Sequence, residues 1–222
     1  LRREQLVPKR ASTSNGLFFI RAQPGTGDDQ IGGIPLGISH NRWPWCGNGH
    51  GPLGVAGRLQ MHAERLPFDD KVALNLFVCQ QGCINPKSRW NAGYIWTIVS
   101  WPDNRVARRK PPPKPPLGST GRPKVLESYA LSFEPVVDVS KLTDADSLIG
   151  PGLEQPKRGA PFCWVEGCRR KMRAVARFGE ELARRMGFGG GWPVHLFGCP
   201  DGHEFALLNT ASKSSTRATK DG

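Results

Sequence analysis

Apolar and small residues run almost unbroken from Val72 to Cys79, with Asn75 the one polar position, which predicts a strand buried on both faces. Gly93 to Trp101, with Tyr94, Ile95, Trp96, Ile98 and Val99, predicts a second strand, because aromatic and β-branched side chains fit a pleated surface. Leu53, Val55, Gly57, Leu59 and Met61 occupy alternate positions, as in a half-exposed strand. Met172, Ala174, Ala176 and Phe178 alternate in the same way, while Met172, Val175, Phe178, Leu182 and Met186 also make a helical stripe. A strand followed by a short helix satisfies both patterns, and Gly187 to Gly191 would end the helix. The expected fold is mainly β, of the α+β kind.

All six cysteines fall, with two histidines, into two quartets: Cys46, His50, Cys79 and Cys83, and then Cys163, Cys168, Cys199 and His203. In each, a short chelating turn is followed about thirty residues later by another, so two loops can close on one tetrahedral ion through three sulfurs and one nitrogen. Zinc is the expected cofactor at both. Disulfides are the alternative, since the cysteine count is even. However, 222 residues exceed the size at which small secreted domains use bridges in place of a core, and the histidines add nothing to a disulfide scheme. Cys199-Pro200-Asp201-Gly202-His203 holds the glycine that a tight chelating turn needs, whereas His50 sits in the flexible loop Gly47-Asn48-Gly49-His50-Gly51.

The quartets belong to a longer repeat. Gly33 precedes Cys46 by thirteen residues and Gly150 precedes Cys163 by thirteen. Trp43-Pro44-Trp45-Cys46 corresponds to Gly159-Ala160-Pro161-Phe162-Cys163 at an offset of 117, and Leu76-Phe77-Val78-Cys79 to Leu196-Phe197-Gly198-Cys199 at 120. So long a period indicates two related units and not a solenoid. The expected organisation is two related β-rich lobes in pseudo-symmetric duplication, each with a Cys3His site. A basic amino-terminal extension would cover 1–30, the first lobe 31–104, an arm 105–124, the second lobe 125–211 and a polar tail 212–222.

Hydrophobic residues make up 38% of the chain, enough for a core with little to spare, so metal would supplement packing. No apolar run reaches the roughly 20 residues needed to span a bilayer, and a soluble protein without membrane contacts is expected. The net charge of +12 favours a polyanionic partner, because lysine and arginine neutralise phosphates and release counterions. RNA is the expected one. Residues 105–124 carry Arg105, Arg108, Arg109, Lys110, Lys114, Arg122 and Lys124 with no acidic residue, around the run Pro111-Pro112-Pro113-Lys114-Pro115-Pro116. Proline fixes an extended backbone there, which makes an exposed arm suited to phosphates. Arg169, Arg170 and Lys171, with Arg173 and Arg177 nearby, are expected to contact RNA beside the second chelating turn. An aromatic-studded RNA-recognition motif is missing, so backbone contact without base readout is expected. A solvated linker and a merely basic surface are the plainer alternatives.

Catalysis finds little support in the residues. Cysteines bunched in duplicated chelating turns are poor candidates for a Cys–His nucleophile, and His40, His62 and His195 are single residues without a convincing carboxylate. Asp28-Asp29 and Asp69-Asp70 suit solvated turns, and the glycines of Gly187 to Gly191 lack the Lys and Ser or Thr of a phosphate loop. With both quartets filled by protein ligands, no open metal position remains for hydrolysis, and no small-molecule substrate is expected.

In succession, Gly32-Gly33-Ile34-Pro35, the first metal-binding turn, Pro52-Leu53 to Leu59-Gln60, Leu66-Pro67-Phe68 and Leu74-Asn75-Leu76-Phe77-Val78-Cys79 resemble a lobe of the family of programmed cell death protein 2 and its yeast relative, the twenty-S rRNA accumulation protein. The likeness covers roughly residues 31–101, and roughly 148–209 resemble that family's carboxy-terminal region and, more distantly, a bacterial family of β-rich proteins. The resemblance implies a β-rich zinc protein that escorts a small-subunit ribosomal protein during ribosome assembly. This chain lacks the separate zinc finger between the lobes, and it is basic where an escort of a basic protein should be acidic. The expectation that follows is a non-catalytic zinc protein that stays on a ribosomal particle as assembly factor or resident subunit. Its partners would be ribosomal RNA and ribosomal proteins of the small subunit. Leu1 in place of Met, and Arg2, Arg3, Lys9 and Arg10 against the single Glu4, suit the remainder of an organellar presequence, which points to a mitochondrial particle; a flexible tail and a cytoplasmic location are the other reading. A ribosomal-protein chaperone free in the cytosol, or a bacterial-type protein-binding or toxin-neutralising module, are the alternatives.

Overall fold

The expected apolar runs become strands because each finds backbone partners, on both sides for all but the run at 96–99, which pairs on one side. In a computed structural model, the residues described are 16–35, 43–45, 50–60, 65–66, 73–80, 126–156, 160–163, 165–188, 193–202 and 205–209, with the backbone alone at 96–99, 208 and 209. They form strands β1 (Phe18–Pro24), β2 (Gln30–Ile31), β3 (Gly54–Gln60), β4 (Ala73–Val78), β5 (Trp96–Val99), β6 (Tyr129–Pro135), β7 (Leu148–Ile149), β8 (Arg173–Phe178), β9 (Val194–Gly198) and β10 (Phe205–Asn209), and the helix α1 (Glu180–Arg185). The chain is mainly β. No helix among the described residues is long and apolar enough to cross a membrane.

All ten strands join one antiparallel sheet in the order β10-β9-β8-β7-β1-β6-β2-β3-β4-β5, whose two edge strands approach each other so that the sheet nearly closes. At its centre β1 and β6 pair along their full lengths, from Phe18 opposite Pro135 to Pro24 opposite Tyr129. The short strand β7 attaches to the free edge of β1, and β2 to the free edge of β6. The amino-terminal half of the chain is therefore joined to the carboxy-terminal half by exchanged strands, and the described strands form one shared sheet. Residues 18–30, expected in a basic extension, supply its central strand β1 and the first residue of β2.

The registers on the two sides of this centre correspond. Gly54, Val55 and Gly57 pair with Val78, Phe77 and Leu76, with a bulge at Ala56; Arg173, Ala174 and Ala176 pair with Gly198, Phe197 and Leu196, with a bulge at Val175. Each bulged carbonyl accepts a 2.9 Å hydrogen bond from a glycine amide, Ala56 from Gly32 and Val175 from Gly150. Those glycines have φ of 65° and 137°, where side chains are rarely tolerated, and a Cβ on either would collide with a backbone carbonyl, of Glu127 or of Gly16.

Alternation along the strands sorts residues between two faces. Leu74, Leu76 and Val78 of β4, with Val194 and Leu196 of β9, enter the main core beside Phe178, Leu182, Met186 and Phe205, so both halves share it. Phe77 and Cys79 face the other way into a small cluster with Trp43, Leu53 and Val55; Phe197 and Cys199 enter another with Leu17, Val136, Cys163, Met172 and Ala174. Strand β3 corrects the half-exposed expectation, since Gly54 to Leu59 are all buried. Gly54 and Ala56 are small enough for neighbours to close over them. Arg58, opposite Asn75, is buried because its guanidinium donates to the carbonyls of Gly27, Asp28 and Ile34. The expected strand-then-helix segment is present as β8 and α1, and Gly187, at φ 88°, follows the helix as anticipated.

Gly150→Ala should lower stability by about 2–4 kcal/mol in urea denaturation, because positive φ and a backbone collision add; a change under about 0.5 kcal/mol would show that the close approach at this turn is not constrained. Burial, and to a smaller extent the Arg177 guanidinium, lowers His195 to about 4, against about 6.5 for an unfolded histidine. The folded state then binds fewer protons in that window, so stability is full above about pH 6.5 and declines toward pH 4, at up to about 1.4 kcal/mol per pH unit from this one group. His195→Asn, the residue type at the corresponding Asn75, should flatten that part of the stability profile, whereas an unchanged acid slope would remove His195 from the account.

Candidate metal centre

Strand alternation delivers the sulfurs. Phe197 of β9 faces away from the main core, and Cys199 follows on the same side, one residue past the strand end. The chain reverses there: the Gly202 amide donates to the Cys199 carbonyl at 2.9 Å, with Gly202 at φ 71°. Across from it, Phe162 and Lys171 form an isolated antiparallel bridge, and the flanking Cys163 and Met172 amides donate to Arg170 and Pro161 carbonyls, each at 2.8 Å. Cys163 and Met172 thereby turn inward. A second turn closes when the Cys168 amide donates to Val165 at 3.0 Å, with Gly167 at φ 83° and Arg169 at φ 46° supplying the left-handed backbone that so short a reversal requires.

The Sγ atoms of Cys163, Cys168 and Cys199 lie within 4.8 Å of one another, and those of Cys168 and Cys199 are 3.7 Å apart. A tetrahedral ion with metal–sulfur bonds of about 2.3 Å sets its sulfurs about 3.8 Å apart, whereas a disulfide needs about 2.05 Å. None of the four described cysteines is in a disulfide. Burial pushes the Cys163 thiol up to about 12, and the neighbouring Cys199 and Cys168 add to the rise, against a lowering by the Val165 backbone. A bound cation inverts that balance, because it stabilises the thiolates that the apolar surroundings disfavour. These three cysteines can hold a metal ion.

Asp201 ties the two turns together: its Oδ2 accepts from the Arg170 guanidinium at 3.0 Å and lies 3.7 Å from the Cys168 sulfur. Sequence reasoning did not single it out, although its place between Cys199 and His203 was a signal. His203, expected as the fourth ligand, lies outside the described residues, as do Cys46 and Cys83 of the first quartet. The other two members of that quartet do come together, with His50 Nδ1 3.5 Å from Cys79 Sγ. Cys79 follows β4 as Cys199 follows β9. Trp43 anchors this turn by donating Nε1–H to the Leu53 carbonyl at 2.9 Å and by meeting Phe77 edge-on.

Of the residues expected to contact RNA, Arg105, Arg108, Arg109, Lys110, Lys114, Arg122 and Lys124 lie outside the described residues. Arg169, Arg170 and Lys171 are exposed around the turn, together with Arg173. Arg177 does not belong with them. Its guanidinium donates to the carbonyls of Thr143 and Asp146 and pairs with Asp144 at 3.6 Å, which fixes the 143–147 loop to β8.

Cys199→Ser should strip the ion from this turn and cost at least about 3 kcal/mol of stability, since binding energy at such a site is folding energy. Metal content by plasma mass spectrometry, paired with urea denaturation, checks this; a serine variant with parental metal content and stability would remove Cys199 from the ligand set. Compared with protein-family models, curated proteins and solved structures, the chain matches none, so its function has to be argued from this geometry.

Proposed function

We propose that this chain is a non-catalytic zinc protein, built as an internal duplication, that binds a ribosomal particle through rRNA phosphates and ribosomal-protein surfaces. The observation that carries the reading is the cluster of buried Cys163 and Cys199 with half-buried Cys168 beside an exposed basic turn. Three sulfurs at tetrahedral spacing suit zinc, and His203 as fourth ligand would close the site to substrate, which favours a structural role. The corresponding registers of β3–β4 and β8–β9, and the His50–Cys79 approach at the corresponding strand end, support duplication and a second zinc site completed by Cys46 and Cys83.

Zinc at these turns fixes surface loops that a modest core would leave weakly held. Its functional consequence is a rigid base for Arg169, Arg170 and Lys171, while the proline-rich arm from Arg105 to Lys124 supplies further positive charge. The ribosomal assignment, with the small subunit of a mitochondrial particle as its preferred form, rests on the resemblance in residues 31–101 and 148–209 and on the basic amino end. Assembly factor and resident subunit are both compatible with it.

Sedimentation of the tagged native protein tests this reading. Co-migration with a small ribosomal subunit, abolished by nuclease, is expected; migration away from ribosomal fractions in a small complex whose protein partners persist after nuclease would favour the free chaperone or the protein-binding module. Replacing Arg108, Arg109 and Lys110 by Ala should leave zinc content intact and weaken association, with the salt dependence falling by nearly one unit for each phosphate that is no longer neutralised. An unchanged affinity and slope would reduce the arm to a linker.

A further inference from the structure

Phe162 is 56% exposed, an unusual position for a phenylalanine held in an ordered bridge. The hydrogen bonds from Cys163 and Met172 bracket the Phe162–Lys171 pair, which makes it the close, non-hydrogen-bonded kind, with side chains neighbouring on one face. Pro161, Cys163 and Met172 turn inward toward the sulfur cluster, and Phe162, Lys171 and Arg173 turn outward. Arg169 and Arg170 are exposed beside them. Among the described residues, the acidic groups of the same turns are Glu166, exposed, and Asp201, which is engaged by Arg170. An aromatic ring is thus displayed beside a cluster of cations on a support held by the metal ligands.

The other half of the chain repeats the aromatic part independently. Trp45, which directly precedes Cys46 as Phe162 precedes Cys163, forms the corresponding isolated bridge with Pro52, and the Leu53 amide donates to the Pro44 carbonyl at 3.0 Å as Met172 does to Pro161. Trp45 is half-buried, with proline in place of lysine opposite it. The second turn therefore combines an open aromatic face with cations, where the first shows the aromatic alone among the described residues.

We infer that the second chelating turn is a docking site for single-stranded nucleic acid, with one base stacked on Phe162 and the adjoining phosphates held by Lys171, Arg169 and Arg173. The inference rests on the RNA-binding reading above and names where and in what form the strand is held. A flat apolar ring among lysine and arginine matches the two chemical faces of an unpaired nucleotide, whereas a duplex keeps its bases stacked away from such a ring and can engage only the cations, through its phosphates. Stacking tolerates any base, so the site needs no sequence readout.

The test is fluorescence anisotropy of the full, zinc-loaded chain with a labelled oligouridylate of about 12 nucleotides, against an oligothymidylate and an RNA duplex of the same length. Phe162→Ala should weaken single-strand binding about tenfold with an unchanged salt slope, and Phe162→Tyr should restore it. Lys171→Gln should lower the salt slope by nearly one unit. Duplex binding should not respond to Phe162. A preference for uridylate over thymidylate would make RNA the ligand, and equal binding would extend the site to both nucleic acids. Zinc content and thermal unfolding check that Phe162→Ala remains folded. If the parent binds single strands but Phe162→Ala binds equally well, the stacking site is refuted and the RNA-binding reading survives; if the parent binds no nucleic acid, both fall.

Discussion

Three cysteine sulfurs brought within 4.8 Å of one another, on the side of the sheet away from its main core, are the constraint on which the functional surface depends. Left as thiols they would form a soft apolar patch, with Cys163 pushed up to about 12 by burial. A cation converts them into charged ligands and couples the turn at 163–168 to the turn at 199–202. The Arg170–Asp201 pair is largely exposed, at 61% and 35%, so it orients side chains more than it stabilises them.

The sheet places those turns. Its centre is the β1–β6 ladder, and each half completes its own meander on a strand lent by the other. This exchange makes the core common to both halves, and it leaves the sulfur-bearing strand ends on the outer face. A metal ion bound at such a strand end would therefore act locally, on loops, while the fold itself is held by the shared packing of Leu74, Leu76, Phe178, Leu196 and Phe205. Exposed residues of the second turn can serve binding without any demand on that core.

Much of the candidate site was legible in the sequence, because cysteine spacing is a local signal and the strands feeding the turns carry strong apolar runs. Phe77 and Cys79, and Phe197 and Cys199, announce the strand ends directly. The overall sheet was not legible. Phe18–Pro24 ends in Gln and Pro, Tyr129–Pro135 in Glu and Pro, and β2 and β7 are two residues each, too short for any period to register. Their pairings join residues roughly half the chain apart, and no local preference encodes a partner at that distance. Arg58 misled for a related reason: its charge reads as solvent-facing, and only the carbonyls of the 27–34 loop, brought over it by the fold, make its burial possible. Phe162 is the opposite case, a hydrophobic side chain that the bridge to Lys171 directs outward, which the sequence does not announce.

The account predicts zinc in a shell of three sulfurs and one nitrogen, and X-ray absorption at the zinc edge of the purified native protein reports that shell directly. The expected spectrum shows about three sulfur scatterers at about 2.3 Å and one lighter scatterer at about 2.0–2.1 Å per ion. A sample without stoichiometric zinc, whose sulfur-edge spectrum shows disulfide bonding in place of metal thiolate, would contradict it.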